Sequence, residues 1–481
     1  MHAPAALRRR TGRGSNDVSV AHCADEAGGV AAAGGRRATG LYGLFAADAP
    51  PRLDGCGRAA DNRLMDDAHT FDIVISGGGL AGGLAAIAFA NAGFSCAIID
   101  AQDPESMRDP SFDGRTTAIS YANARLFKRL GLWAAFADRA QPINDILVTD
   151  GRARGRFREG AVAPFHLHFD SRTLDDETPL GWIVENAALR NAIIDAALKR
   201  EDIAFFAPAR RTGADLKGAR AEARLEDGRV VAGAALVGAD GRHSPLRAEC
   251  AIKRHQWRYD QHGIVVTVAH EHDHNGVAQE FFLPSGPFAI LPMTENRSSL
   301  VWTETSDAVP ALLALEDRDF LAEIENRFGP YIGEISLAGP RFSYPLAFTL
   351  SQRFIANRTV LIGDAARAIH PIAGQGFNLG VKDIAALTDV FSDARRVGLD
   401  IGAANVLENY QRWRRFDSVA LALGTDVLNR LFSNDFGPLR AVRSLGVGIV
   451  NRIQPASKFF MRQAGSDVGA LPTLLQPDAA R

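Results

Sequence analysis

Between His370 and Asp383 the chain reads HPIAGQGFNLGVKD: a histidine–proline step, glycines at 374, 376 and 380, Gln375, Asn378, and an acid at the end. Just before it, RTVLIGDAA is an apolar, strand-like run that breaks at Gly363 and Asp364. Glycine lets a backbone come close to a bound group, and the free N–H groups at a helix start favour negative charge there. Glycine and acid thus bracket one loop on both sides, the arrangement of a ligand-binding turn.

A second glycine cluster has a narrower meaning. FDIVISGGGLAGGLAAIAFANAGFSCAIID, residues 71–100, reads as strand, turn, helix and strand, with Gly77-x-Gly79-x-x-Gly82 at the turn and Asp100 at the end. In such a unit the glycines serve a tight turn, close backbone approach to a pyrophosphate, and close packing of helix on strand; the acid accepts hydrogen bonds from ribose hydroxyls. A dinucleotide is expected, and the motif does not separate FAD from NAD. The alanine-rich helix is interrupted by Gly82, Gly83, Asn91 and Gly93, so it is read as buried rather than membrane-spanning.

The elements that position these loops belong to a large globular chain. Its 481 residues, 46% hydrophobic, with a formal net charge of −2, suffice for a large core and more than one domain. No basic excess suits nucleic acid, and no continuous apolar run reaches the roughly 18 residues of a membrane span. Cys23, Cys56, Cys96 and Cys250 have neither disulfide-framework nor metal-ligand spacing, which fits a reducing, cytoplasmic setting without a metal site. Residues 1–64 (RRRTGRG, AGGVAAAGGRRATG, DAPPRLDGCG) lack hydrophobic period and read as a disordered leader that is neither secretory signal nor transit peptide, with Met65 as the expected functional start.

ALVGADGRHSPLR, residues 235–247, supplies a third turn: an apolar strand breaks at Gly238 into Asp240-Gly241, then Arg242, Ser244 and Arg247. A GxGxxG near the start, an internal DG and a later GD, in that order, resemble the class A flavoprotein aromatic hydroxylases. HPIAGQGFNLGVKD, together with DGRTTAIS (113–120), GWIVENAAL (181–189) and FFLPSGPFAILPM (281–293), is similar to the ubiquinone-biosynthesis hydroxylases of that class. The similarity runs from about Phe71 to the region of Gly465.

That resemblance implies an α/β fold like p-hydroxybenzoate hydroxylase: a Rossmann-like FAD-binding domain interleaved with an antiparallel β-sheet substrate domain, and a helical C-terminal region. The expected boundaries are 70–260 for the FAD-binding domain with insertions, 261–345 for the substrate domain, 346–400 for completion of the first domain and 401–470 for the helices. It implies FAD as cofactor, held by Gly77, Gly79, Gly82, Asp100, Arg115, Asp240, Gly363 and Asp364, the last on the ribityl hydroxyls. Pro371, Gly374, Gln375, Gly376 and Asn378 are expected over the ring, where a helix N-terminus stabilises the negative charge of the reduced isoalloxazine; Gly380 is read as aiding the same approach. Arg367 departs from the family, which usually has histidine there; phosphate, a neighbouring acid and solvent are its candidate contacts. His370 is read as capping or ordering the loop rather than as a base.

The implied activity is NAD(P)H-linked hydroxylation of a prenylated phenol by molecular oxygen through a flavin hydroperoxide, with no catalytic side chain assigned. Strands at 262–305 are expected to form an antiparallel meander beside the substrate; Phe281, Phe282, Phe288 and Trp302 are candidate liners whose favoured reading is ordinary core. In PLRAVRSLGVGIVNRI, residues 438–453, an apolar helical face flanked by arginines is read first as packing on the flavin domain and second as a membrane or partner contact. The implied setting adds a peripheral position on the inner membrane and membership of a ubiquinone-biosynthesis complex. Hydroxylation of another aromatic compound, and a non-catalytic flavoprotein subunit, are the competing readings.

Overall fold

Runs such as DIVIS, CAII and ALVG send apolar side chains to both faces, the composition of parallel strands covered on both sides. In the computed structural model they do so. The structure describes residues 69–477 apart from 109–113, 150–165, 174–177, 330–331, 372–373, 433–461, 463–464, 466 and 468; the leader and the amphipathic segment 438–453 lie outside the described residues. Strands Thr359–Leu361, Val230–Gly238, His69–Ser76, Cys96–Ile99 and Ile203–Phe206 lie side by side in that order and pair in parallel. From His69–Ser76 the chain builds outward through Cys96–Ile99 to Ile203–Phe206, then returns to the other side for Val230–Gly238. The order therefore reverses between His69–Ser76 and Val230–Gly238, a topological switch point. An antiparallel pair, Arg211–Asp215 and Ala221–Leu225, extends from Val230–Gly238.

Helix Leu80–Asn91 is buried throughout Gly82–Ala90 and packs against helices Asn186–Leu198 and Gln375–Arg396. Alanine suits this position because a thin helix can be covered on every side. Among the described residues no helix is long and apolar enough to cross a membrane.

The second sheet is mainly antiparallel and has nine strands. The hairpins Val277–Leu283, Gly286–Met293 and Arg297–Thr305 run consecutively, but the preceding strand, Arg254–His270, lies beside the last of them rather than the first. The expected simple meander is therefore a Greek-key order. The physical reason is that the 17-residue strand is paired on both sides, with Arg297–Thr305 and with Phe342–Ser351, while Val277–Leu283 takes Asp145–Thr149 as its outer, parallel neighbour. With Asp145–Thr149, His166–Asp170 and Arg367–Ala368 included, this sheet is wider than the segment 261–345. Helix Ala404–Phe432 accounts for the first part of the expected C-terminal helices.

Alternation along these strands separates two environments. Ile264, Phe281, Phe288, Ile290, Leu300 and Trp302 face a core completed by Phe320 and Ile324 of helix Asp317–Phe328. Phe281, Phe288 and Trp302 are thus core, and none of them lines the cavity on the other face. Trp302 is fully buried, lies 3.9 Å below the Arg327 guanidinium and donates from Nε1 to Glu304 at 3.2 Å. Trp302→Ala is expected to lower unfolding free energy by about 3–5 kcal/mol, read as a reduced denaturation midpoint at unchanged slope.

Candidate active site

Because the paired strands are parallel and in register, their outgoing loops emerge along one line. Ser76 sits opposite both Gly238 and Ile99, and Gly238 opposite Leu361. The residues that follow, Gly77–Gly82, Asp240, Asp100 and Gly363–Asp364, are consequently brought together at the carboxyl ends of the strands, where open α/β sheets bind ligands.

Local contacts explain the residue types. Gly77 has φ +104°, and a Cβ there would fall 2.6 Å from the Ala239 carbonyl oxygen. At Gly82 a Cβ would lie 1.8 Å from the Gly77 oxygen, so only glycine lets the helix seat on its own turn. Gly79 caps the helix and has open space where a side chain would project. Asp100 accepts from the Gly78 and Gln102 N–H groups, at 2.6 and 2.8 Å, and holds the glycine turn against the neighbouring strand. Asp240 accepts from the Leu246 N–H at 3.1 Å through one oxygen, while the other is buried and unpartnered. Solvent reaches Asp364, yet protein closely surrounds it; that desolvation raises its pKa, against the lowering pull of Arg242 and Arg367. This is the environment of a carboxylate on a groove floor. Open space at Gly79, an orphaned oxygen on Asp240 and an accessible Asp364 suit an extended polar ligand with phosphates and hydroxyls.

Arg367 resolves into one of its three candidate contacts. It is buried, 2.7 Å from Asp383 Oδ2, in an ionic contact whose N–H directions do not make an aligned hydrogen bond. Arg414 Nε donates to the other Asp383 oxygen at 2.9 Å, and the Gly363 N–H donates to Oδ2 at 3.1 Å. A single, fully buried carboxylate therefore ties the glycine–acid turn to helices Gln375–Arg396 and Ala404–Phe432. Gly380 belongs to the same junction: its Cβ position lies 3.4 Å from Gly363 Cα, so it admits helix to turn rather than helix to ligand.

Beyond the turn lies a cavity of about 250 Å³. Pro371, Gly374 and Gln375 close one end, Arg115 enters from the segment before strand Thr116–Ser120, and Val265, Ala289 and Val301 of the second sheet form an opposite wall. Gly374, at φ +62°, starts helix Gln375–Arg396 and aims its N-terminus here; at Gly376 a Cβ would meet nothing within 4 Å. Asn378 behaves differently from its expected role over a ring. Its amide donates to the Ala118 and Gly374 oxygens, at 2.8 and 3.1 Å, and accepts from Ser120 N–H and Asn123, at 3.1 and 2.8 Å. All its capacity is used in bracing the loop. His370 is buried against the edge of Tyr259, and neither ring nitrogen has a hydrogen-bond partner among the described residues, so it orders the loop by packing and not by capping. Glu280 and Tyr344 join this region without having been singled out from the sequence; the readable signal for Glu280 was an acid at an inward position of an apolar strand.

Residues 70–415 match the FAD binding domain family. The chain is 43% identical to a ubiquinone hydroxylase of Rhodospirillum rubrum over 426 residues, covering 88% of this chain and 94% of that protein. It belongs to the ubiquinone-biosynthesis flavin hydroxylases. The 3-demethoxyubiquinol 3-hydroxylase of Escherichia coli is 33% identical over 385 residues, covering 79% of this chain and 95% of its own. Among solved structures, p-nitrophenol 4-monooxygenase from Pseudomonas putida superposes with a TM-score of 0.66 at 17% identity, covering 82% of this chain and 98% of its own, a likeness of fold. The hydroxylase is thus an FAD-dependent monooxygenase with the p-hydroxybenzoate hydroxylase-like architecture.

Two outcomes follow for the flavoenzyme. Asp383→Asn leaves Arg367 and Arg414 buried without their carboxylate and is expected to cost about 3–5 kcal/mol of stability in chemical denaturation. Burial holds the His370 pKa down from 6.5 to about 4, with Asp426 opposing. The unfolded chain then binds a proton that the folded one refuses between those values, so stability falls as the pH is lowered across that window, by about 3 kcal/mol in full. His370→Leu is expected to remove this acid sensitivity, measured as the difference between unfolding free energies at pH 7 and pH 4.5.

Proposed function

We propose that this protein hydroxylates the aromatic ring of a prenylated phenol in ubiquinone biosynthesis, with reduced nicotinamide as electron donor. The observation that carries the reading is the cavity: a largely apolar chamber lined by the N-terminus of helix Gln375–Arg396 and by the second sheet, Val265, Ala289 and Val301 among its residues. Such a chamber suits a ring held at the helix end with an apolar tail beyond it.

In this reading Gly77, Gly79 and Gly82 carry the FAD pyrophosphate and Asp100 the ribose, while Asp240, Gly363 and Asp364 meet the ribityl region. Pro371, Gly374, Gln375 and Gly376 face the ring, Arg115 stands at its edge, and Asn378 holds their loop in place. When bound, FAD supplies the reduction of oxygen and the transfer of one oxygen atom, the other leaving as water. The protein's own work is to orient the phenol, exclude water and place helix N–H groups where negative charge develops. Arg367, the one departure that could suggest a non-catalytic subunit, is accounted for by Asp383. Peripheral membrane contact and assembly with other biosynthetic enzymes belong to the reading because the tail is lipid-soluble. Phe416, Leu423 and Val427, 78%, 48% and 59% exposed on one side of helix Ala404–Phe432, support such a contact.

The chain begun at Met65 is expected to restore ubiquinone in one of a set of strains each blocked at a single ring-hydroxylation step, with the strain rescued naming the carbon by mass spectrometry of the precursors. FAD-loaded protein that rescues none of them overturns the ubiquinone assignment.

A further inference from the structure

We propose that Glu280 is a catalytic residue: its carboxylate accepts the hydrogen bond of the substrate's phenolic hydroxyl and takes the proton as the ring gains oxygen. The inference rests on the phenol reading above and adds a base to it.

Strand Val277–Leu283 turns Phe281 and Leu283 into the core behind the sheet, which sends Glu280 to the cavity face. Its cross-strand neighbours are Val148 and Ala289, with Val301 and then Val265 continuing the row. These neighbours are small and apolar, so a ring has room in front of the carboxylate. Among the described residues lining the cavity only Arg115 and Glu280 carry formal charge, and Tyr344 is the one other titratable group. No hydrogen bond or ion pair of the described residues engages the Glu280 carboxylate. It is half-buried by surface yet wholly desolvated by its surroundings, because the surface it keeps is cavity wall; that desolvation alone raises its pKa to about 7. An unpaired acid in an apolar wall is costly as structure and apt as a base near neutral pH.

The step balances without further reagents. The phenolic O–H bond breaks, its proton moves to a Glu280 oxygen, and the electron pair stays on the phenolate and enriches the ring. Molecular oxygen is the oxidant, and the nicotinamide donor with one proton supplies the two electrons that take its second oxygen atom to water; the ring carbon gains the first oxygen atom as hydroxyl and releases its hydrogen as a proton to that water, and Glu280 returns its proton to the phenolate oxygen.

The test uses the full FAD-loaded chain with 2-geranylphenol and a fluorinated analogue whose hydroxyl is ionised at neutral pH. E280Q is expected to bind FAD normally but to hydroxylate 2-geranylphenol about 10²-fold more slowly in single turnover, and to hydroxylate the bound ionised analogue at the wild-type rate. Binding to the oxidised enzyme, followed by flavin absorbance at pH 8, should shift in opposite senses: weaker for 2-geranylphenol, and about tenfold tighter for the fluorophenolate once the like charge is removed. Stability gives a further readout. Since the folded pKa lies above the ordinary 4.5, the wild type loses stability relative to E280Q as pH rises through about 7, whereas an acid kept for structure would leave E280Q less stable. Equal rates in E280Q and wild type, or equal slowing on both phenols, overturn the role of Glu280. A wild type that neither binds nor hydroxylates 2-geranylphenol overturns the phenol reading and this inference with it.

Discussion

Parallel pairing at a switch point is the constraint on which the site depends. Strands ending at Ser76, Ile99, Gly238 and Leu361 are aligned by backbone hydrogen bonds, so the loops that follow must emerge side by side, although they come from widely separated parts of the chain. Each loop then needs room next to its neighbours. Gly77 and Gly82 are glycines because the Ala239 and Gly77 carbonyls occupy the space a side chain would take. The groove at the strand ends is what remains when those backbones are packed closely.

A second sheet shares that frame through one buried charge cluster. Asp383 receives the Gly363 N–H, Arg367 and Arg414, so the turn, the helix that starts at Gln375 and the long C-terminal helix meet at one carboxylate. Such clusters stabilise little in net terms, because desolvation offsets attraction, but removing one partner strands the others. Its value here is positional: the helix N-terminus at Gly374 is held against the turn that carries Asp364.

The antiparallel sheet divides labour by alternation. Its central strands present Phe281, Phe288 and Trp302 to Phe320 and Ile324, and Val265, Ala289 and Val301 to the cavity. A period of two in the strands thereby makes a rigid wall and an open chamber from the same stretch of chain, with Glu280 as the single acid on the open side among the described residues.

Much of this was legible in the order of residues. Glycines that must pass close to backbone, acids at strand ends and the apolar period of each element are local requirements, so Gly77-x-Gly79-x-x-Gly82 with Asp100 points to a dinucleotide fold before any coordinate is known, and Asp240 and Gly363-Asp364 add FAD through their resemblance to the flavoprotein hydroxylases. Contacts between distant segments were not legible. That Arg367 meets Asp383, that Gly380 makes room for Gly363, that Asn378 braces rather than reaches out, and that the strand at 254–270 lies beside 297–305 are decided by which surfaces the packed sheets bring together. Glu280 shows the boundary best: its type and place in an apolar strand are written in the sequence. Only the tertiary structure removes its partners and turns it toward the cavity, because burial belongs to the assembled layers and not to the strand.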